Sequence, residues 1–237
     1  MRHRLSAGIH FVLTMLTAAQ SSSGADRTRP PGETSEARIA KALAHPLRAA
    51  SFETLIGLMA VTGLRTGEAM SLDRADVDLA EQMLTIRRSK LGKSRQLPLH
   101  ATTTTVLAAY AARRGQLCPR PATPSFFLSG GGTRLNHTNT STTFAGLLEA
   151  AGIATPPGRR RPRLYGLRHS FAVATLINWH AEGADVQARL PVLSTWMGHV
   201  KPSSTYWYLQ AAPELLAVTA VRLERYLGLE HDREGRP

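Results

Sequence analysis

Three separated segments of this sequence combine arginine, histidine and tyrosine in patterns that suit chemistry on a phosphodiester bond. Such a reaction needs a nucleophile, a cationic clamp on the non-bridging oxygens and an acid for the leaving oxygen. In the first segment Arg65 follows a helix-ending Gly63, and Glu68 stands three residues later, where it can brace the arginine. A guanidinium binds two phosphate oxygens at once, although a single such arginine is more often an ordinary surface residue.

The second segment, RLYGLRHSFAV, places Tyr165 and Arg168 three residues apart, with His169 directly after them. This spacing predicts that Tyr165 and Arg168 share one face of a helix. An arginine among apolar residues is costly to bury without an anion, so Arg168 is the stronger of the two candidate anion-binding arginines. The alternative role for Arg168 is a structural salt bridge.

The third segment, STWMGHVKPSSTYWYLQ, is the most specific of the three. A helix is expected to end at Gly198 and to present His199 there, and Tyr208 follows His199 by nine residues. A tyrosine with the usual pKa of about 10 is a poor nucleophile and needs cations or a base beside it. Tyr206 is a rival nucleophile, and the simpler role for either tyrosine is core packing or an interface contact.

The segments before these residues predict where the folded part begins. Residues 1–35 include a stretch rich in Ser, Gly, Pro and Arg, and we expect a flexible segment there. A domain is expected at 36–228 and a polar tail at 229–237. Ser51 is expected to cap an apolar helix that Gly63 ends, after an earlier helix that carries Ile39 and Leu43.

The remaining pattern predicts helices around one small sheet. Three β-favouring segments, DVDL, MLTIRR and RQLPL, indicate an antiparallel sheet, and FFLSGGGTRLN indicates a glycine-turned loop or hairpin. A helix from Leu164 to His180 is expected to present Leu167, Phe171 and Ala174 on one face. Further helices are predicted over TTTTVLAAYAARR, STTFAGLLEAAG, LPVLSTWM, SSTYWYLQ and PELLAVTAVRLERYL. The predicted fold class is mainly α with a small antiparallel β-sheet.

The composition favours an anionic partner. Lysine and arginine total 29 against 17 acidic residues, which gives a net charge of +12 and points to nucleic acid, although arginine enrichment in a GC-rich genome is an alternative cause. Cys118 is the single cysteine, so an intrachain disulfide is excluded and a cytoplasmic setting is expected. The first twenty residues resemble a secretory signal in having basic residues before a short apolar stretch. No apolar run in the sequence reaches the roughly 20 residues that a membrane span requires.

Taken together, the motifs GLRTGE, SKLGKSRQLPL, YGLRHSF and MGHVKPSSTYWYL resemble, in order and spacing, the catalytic domain of the tyrosine recombinase (phage integrase) family. The resemblance covers residues 36–227. It implies cleavage and rejoining of DNA strands through a 3′-phosphotyrosine, without metal or nucleotide cofactor. The implied partners are double-stranded DNA and either further copies in a tetrameric synapse or a full-length recombinase.

The resemblance also implies roles for individual residues. Arg65 and Arg168 match the phosphate-clamping pair, and Glu68 and His169 are supporting residues. Lys90 matches the hairpin lysine that acts as general acid, with Lys93 as its alternative. His199 matches the histidine that hydrogen-bonds the scissile phosphate, and Tyr208 matches the nucleophile. The basic residues expected to contact DNA are Lys93, Arg95, Arg159, Arg160 and Arg161.

Two departures from the family pattern stand out. Tyr165 occupies the position where the family usually has the histidine of H-x-x-R, and a phenol does not readily accept a proton near pH 7. The first 35 residues are also too few and too polar to form the helical DNA-clamping domain that usually precedes the catalytic one. The chain is therefore expected to be truncated and less active. The alternatives are a catalytically weak DNA-binding remnant and a type IB topoisomerase-like nicking enzyme.

Overall fold

The structure is a computed structural model of the 237-residue chain, and it describes residues 44–87, 94–150, 161–199, 201 and 203–211. The chain divides into two compact units at the bond between Arg168 and His169. Several sequence predictions lie outside the described residues. They are the first helix with Ile39 and Leu43, the residues Lys90, Lys93, Arg159 and Arg160, the C-terminal helix, the N-terminal segment and the polar tail.

The first unit combines helices with one small sheet, as the sequence predicted. Its described elements are α1 (Pro46–Thr62), α2 (Thr66–Met70), a short 3-10 helix (Arg74–Asp76), β1 (Val77–Asp78), β2 (Met83–Ile86), β3 (Arg95–Pro98), α3 (Ala101–Leu117), α4 (His137–Ala150) and the start of α5 (Leu164–Ala181). The strands pair antiparallel in the order β1-β2-β3. The predicted fold class is therefore confirmed.

Helix α1 begins earlier than the sequence analysis expected. Pro46 occupies the first turn, where its fixed φ suits a helix and its missing N–H costs nothing. Ser51 is therefore not the N-cap. It is buried inside α1, and its hydroxyl lies 2.8 Å from the Tyr110 hydroxyl of α3. The predicted end at Gly63 is confirmed, since this residue adopts a left-handed φ of 64° and donates its N–H to the Met59 carbonyl.

The sheet buries one face by strict alternation. Leu84 pairs with Leu97 across β2 and β3, and Ile86 pairs with Arg95. The side chains of Leu84, Ile86 and Leu97 are all buried, so these positions face the core. Because side chains alternate along a strand, Arg95 lies on the same side of β3 as Leu97. The sheet therefore directs Arg95 inward.

The loop after α3 forms a small hairpin, as the glycines indicated. Leu128 and Arg134 form an antiparallel bridge, and the Ser129 N–H donates to the Thr133 carbonyl at 2.7 Å. Gly132 adopts a φ of 74° in this turn, a conformation that side chains rarely adopt.

The second unit contains the rest of α5, α6 (Val186–Met197) and α7 (Ser203–Ala211). Asp185 caps α6 by accepting a hydrogen bond from the Ala188 N–H at 3.0 Å. Gly198 ends α6 with a φ of 65°, as predicted. The hydrophobic core of the second unit consists of Ala172, Leu176, Val186, Leu190, Leu193, Met197 and Tyr208. Within the described part of the chain, no helix has the length and apolar character needed to cross a membrane.

The buried stripe of α5 differs from the predicted one. Arg168, Ala172 and Leu176 are completely buried, whereas Leu167 and Phe171 are only partly buried. The stripe is therefore shifted by one residue from the expected face. Tyr165 and Arg168 also lie in different environments, because the tyrosine is 59% exposed and the arginine 0% exposed. Both residues lie three positions apart in α5, as the spacing predicted, but only Arg168 is buried.

Candidate active site

The turn between α1 and α2 positions Arg65. The left-handed Gly63 reverses the chain after α1, and Arg65 is the N-cap of α2, with its carbonyl accepting the Ala69 N–H at 3.0 Å. Glu68 sits three residues into the helix, where a carboxylate can reach back to the N-terminal N–H groups. One carboxylate oxygen accepts the Arg65 backbone N–H at 3.1 Å and the other accepts Nη1 at 2.6 Å. Glu68 therefore fixes both the backbone and the side chain of Arg65.

Glu68 binds a second guanidinium, that of Arg95 on β3. Arg95 donates from Nη1 and Nη2 to the two carboxylate oxygens at 3.1 Å and 2.9 Å. The Glu68 side chain is 6% exposed, that of Arg95 12% and that of Arg65 25%. Burial acts to raise the pKa of Glu68, but the hydrogen bonds and charge of Arg95, followed by the hydrogen bonds from Arg65, outweigh it, so the pKa lies below its ordinary value. The group is therefore ionised at neutral pH.

The sequence analysis missed this contact and placed Arg95 among the DNA-binding residues. A signal was present, because alternation along RQLPL puts Arg95 on the buried face of the strand with Leu97. A buried arginine needs a partner, and a carboxylate is the usual one. DNA contact by Arg95 stays a prediction, but its guanidinium is already engaged by Glu68 through both terminal nitrogens.

Arg168 reaches the same turn from α5. Its side chain is completely buried, and Nη1 donates a hydrogen bond to the Gly63 carbonyl at 2.7 Å. A carbonyl accepts a hydrogen bond without neutralising the guanidinium. The structure therefore attaches Arg168 to the segment that carries Arg65, only two residues away, and both arginines of the predicted pair belong to one local arrangement.

A second group of predicted residues meets in the second unit, around Tyr208 on α7. The ring of Tyr208 lies 5.3 Å from the ring of His169 and 6.1 Å from that of His199, measured between centroids. The Nδ1 atom of His199 lies 2.8 Å from the hydroxyl oxygen of Thr205, which fixes the orientation of the imidazole. The structure thus brings two imidazoles against the predicted nucleophile. Sequence reasoning did not identify Thr205, for which spacing alone gave no signal.

The two candidate tyrosines of α7 differ in burial. Tyr208 is 4% exposed and belongs to the core of the second unit, whereas Tyr206 is 43% exposed. The simpler role considered for Tyr208, core packing, therefore coexists with its contacts to the two histidines. The exposed Tyr206 lies at the surface.

The other basic residues predicted from the sequence are not among the groups around Arg65 and Tyr208 that are described above. Arg161 is 48% exposed, donates to the Ala145 carbonyl at 2.6 Å and forms an ion pair with Glu149 at 3.3 Å. Lys90, Lys93, Arg159 and Arg160 lie outside the described residues. Among the residues that are described, no group of three or more His, Cys, Asp or Glu side chains is arranged to hold a metal ion.

Comparison with known sequences identifies the family. The Phage integrase family pattern matches residues 34–214. A protein of Sinorhizobium fredii (strain NBRC 101917 / NGR234), provisionally named integrase/recombinase y4rE, is 42% identical over 201 residues, which cover 81% of this chain and 64% of that protein. The tyrosine recombinase XerC of Herpetosiphon aurantiacus is 30% identical over 209 residues, which cover 85% of this chain and 62% of that protein. The chain thus spans under two thirds of the length of these relatives.

Solved structures share the fold. The crystal structure of XerA recombinase matches with a TM-score of 0.61 at 20% identity, covering 89% of this chain and 62% of that chain. The XerH site-specific recombinase bound to palindromic difH substrate, in a post-cleavage complex, matches with a TM-score of 0.57 at 19% identity, covering 92% of this chain and 51% of that chain. The family pattern extends over most of the sequence, and the chain belongs to the phage integrase family of tyrosine recombinases.

Proposed function

We propose that this chain carries the catalytic domain of a site-specific DNA recombinase that cleaves and rejoins strands through a 3′-phosphotyrosine. The Tyr208 oxygen attacks the scissile phosphorus, the bond from phosphorus to the 5′ oxygen breaks, and the departing 5′ oxygen takes up a proton. The proton of the phenol leaves to a base. The observation that carries the proposal is the contact of Tyr208 with the rings of His169 and His199.

In this proposal the arginines hold the phosphate. Arg65 and Arg168 bind the non-bridging oxygens, where charge develops during the attack, and preorganised donors are most effective at such positions. Lys90 protonates the 5′ oxygen, by the family resemblance. His199 hydrogen-bonds the phosphate. The net charge of +12 supports double-stranded DNA as the partner.

His169 is the proton acceptor that we propose for Tyr208. The family's usual histidine is replaced here by Tyr165, whose phenol does not readily accept a proton near neutral pH. An imidazole can accept one, and the ring of His169 contacts the ring of Tyr208. We infer that His169 takes the role for which Tyr165 is unsuited. Cleavage by this chain then does not depend on the missing histidine.

Assembly and location follow the family. A crystal structure of the lambda integrase shows a dimer bound to a COC′ core site, with a TM-score of 0.52 to this chain at 16% identity. We propose that this chain likewise acts on DNA as a multimer, a tetrameric synapse in the complete reaction or an assembly with a full-length recombinase, in the cytoplasm.

The test is covalent capture of DNA. The full chain is incubated with a pool of duplexes of randomised sequence that all carry one nick, so that cleavage within a few nucleotides of the nick releases a short strand that diffuses away and rejoining fails. Adducts are recovered under denaturing conditions and sequenced. The wild type should form an adduct, Tyr208→Phe should bind the same duplexes without forming one, and Tyr206→Phe should behave as wild type. An adduct with Tyr208→Phe refutes the nucleophile assignment, and binding without any adduct supports the DNA-binding remnant.

A further inference from the structure

The Glu68 carboxylate presents a problem for a phosphate clamp. A single carboxylate paired with a single guanidinium forms a neutral unit, and such a unit attracts a phosphate much less than a free guanidinium does. Glu68 is needed to hold Arg65, because it fixes both the backbone N–H and Nη1. Its negative charge nevertheless acts against the charge that Arg65 offers to DNA.

Arg95 resolves this conflict. It engages both carboxylate oxygens, through Nη1 at 3.1 Å and Nη2 at 2.9 Å. Such paired hydrogen bonds between guanidinium and carboxylate are the strongest and most directional kind. The group of Arg65, Glu68 and Arg95 therefore carries one net positive charge. Arg65 is the more exposed of its two guanidiniums, at 25% against 12%, so this charge is presented mainly through Arg65.

The position of Arg95 in the sheet makes the arrangement rigid. Arg95 is the first residue of β3, pairs with Ile86 of β2 and lies on the buried side of the strand. A donor built on a strand is held more firmly than one on a loop. The sheet thus sets the orientation of the Glu68 carboxylate, and the carboxylate sets that of Arg65.

We propose that Arg95 is a positioning residue for DNA cleavage, which offsets the charge of Glu68 and holds its carboxylate so that Arg65 stays both ordered and positively charged. The proposal rests on the proposed function. It differs from a direct DNA contact by Arg95, because it predicts a loss of cleavage rate that persists when the protein is saturated with DNA.

The test separates charge from shape with two substitutions of similar length. Arg95→Met removes the charge and keeps an unbranched aliphatic stem, and Arg95→Lys keeps the charge. Arg189→Met is the matched control, since Arg189 also pairs with a carboxylate, that of Glu182 at 3.9 Å, but outside this group. For each variant we would measure the single-turnover cleavage rate at saturating DNA and the dissociation constant for DNA. Both measurements use a duplex that the wild type cleaves, at a temperature below the unfolding temperature of every variant.

Arg95→Met should lower the cleavage rate at saturating DNA by about ten- to a hundredfold, as expected for a displaced reacting geometry, in addition to any rise in the dissociation constant caused by the lost charge. Arg95→Lys should restore much of the rate, and Arg189→Met should match the wild type. A direct DNA contact would instead raise the dissociation constant and leave the saturated rate unchanged, and an unchanged saturated rate would overturn the proposal.

A double substitution provides the second arm. If Arg95 offsets the charge of Glu68, then Glu68→Gln removes the charge to be offset and should raise the rate of Arg95→Met. A purely structural role would instead leave the double variant no faster than Arg95→Met, because the first substitution already breaks the contact between the two residues. A double variant no faster than Arg95→Met overturns the proposal while leaving the recombinase function intact. A wild type that forms no adduct refutes the proposed function itself, so the two failures are distinct.

Discussion

At the scale of single residues, the proposed roles of Tyr208 and His169 can be tested by substitution. His169→Gln should reduce the rate of adduct formation about a hundredfold or more, because general base catalysis contributes at least that factor. Tyr165→Phe should have little effect, since the Tyr165 side chain is 59% exposed and a phenol is a poor base. The measurement is single-turnover cleavage of the captured duplex. A large loss with Tyr165→Phe and none with His169→Gln would reverse the assignment.

The Glu68 carboxylate should also affect stability in a way that depends on pH. Its pKa is lower in the folded chain than the ordinary value of 4.5, because Arg95 and Arg65 outweigh the effect of burial. A lowered folded pKa contributes stability that is fully present above the unfolded value and is lost as the pH falls through the folded one. The free energy of unfolding in urea should therefore fall more steeply below about pH 4.5 for the wild type than for Glu68→Gln. Parallel pH profiles would contradict this prediction.

The environment of a single residue could be predicted from the sequence where its neighbours in the sequence determined it. Arg168 was expected to be a buried arginine among apolar residues, and it is completely buried. Arg95 was assigned to DNA because its segment is basic, and the alternation that turns it toward Glu68 was overlooked. The contact between His169 and Tyr208 could not be predicted, because it joins helices that are distant in sequence.

At the scale of elements, two left-handed glycines end the helices that precede the candidate site residues Arg65 and His199. Gly63 has a φ of 64° before Arg65, and Gly198 has a φ of 65° before His199. A side chain in this conformation costs about 1 to 2 kcal/mol. Gly198→Ala should therefore lower the free energy of unfolding by about that amount and slow adduct formation by displacing His199.

The control for this prediction is Gly57→Ala in the middle of α1. A Cβ atom at Gly57 would meet nothing within 4 Å, and alanine is favoured over glycine inside a helix by about 1 kcal/mol. The two glycine substitutions should consequently change the free energy of unfolding in opposite directions in chemical denaturation. A stabilised Gly198→Ala variant would show that the turn before His199 tolerates a side chain.

Element boundaries show what the sequence could and could not predict. The three strands and the helix ends at Gly63 and Gly198 follow from residue types that fix the backbone locally. The start of α1 was misplaced, because Ser51 resembles a cap while the proline at position 46 begins the helix. The buried stripe of α5 was shifted by one residue, since Arg168 occupies a core position that hydrophobicity alone would assign to an apolar side chain.

At the scale of the whole molecule, charge should dominate the encounter with DNA. The chain carries a net charge of +12, and phosphate contacts release bound counterions. If about six or more phosphates are engaged, the affinity should fall by orders of magnitude between about 50 and 200 mM salt. Fluorescence anisotropy with a labelled duplex measures this slope. A salt-independent affinity would contradict a phosphate-dominated interface.

The burial of Tyr208 should affect how readily small reagents modify the tyrosines of this protein. The exposed tyrosines Tyr165 and Tyr206 are 59% and 43% accessible, against 4% for Tyr208. An iodinating or nitrating reagent in solution should therefore modify Tyr165 and Tyr206 before it modifies Tyr208, the proposed nucleophile. Chemical labelling of the free protein would consequently point to the wrong residue. The same burial should slow the modification of the Tyr208 hydroxyl by electrophiles in the absence of DNA.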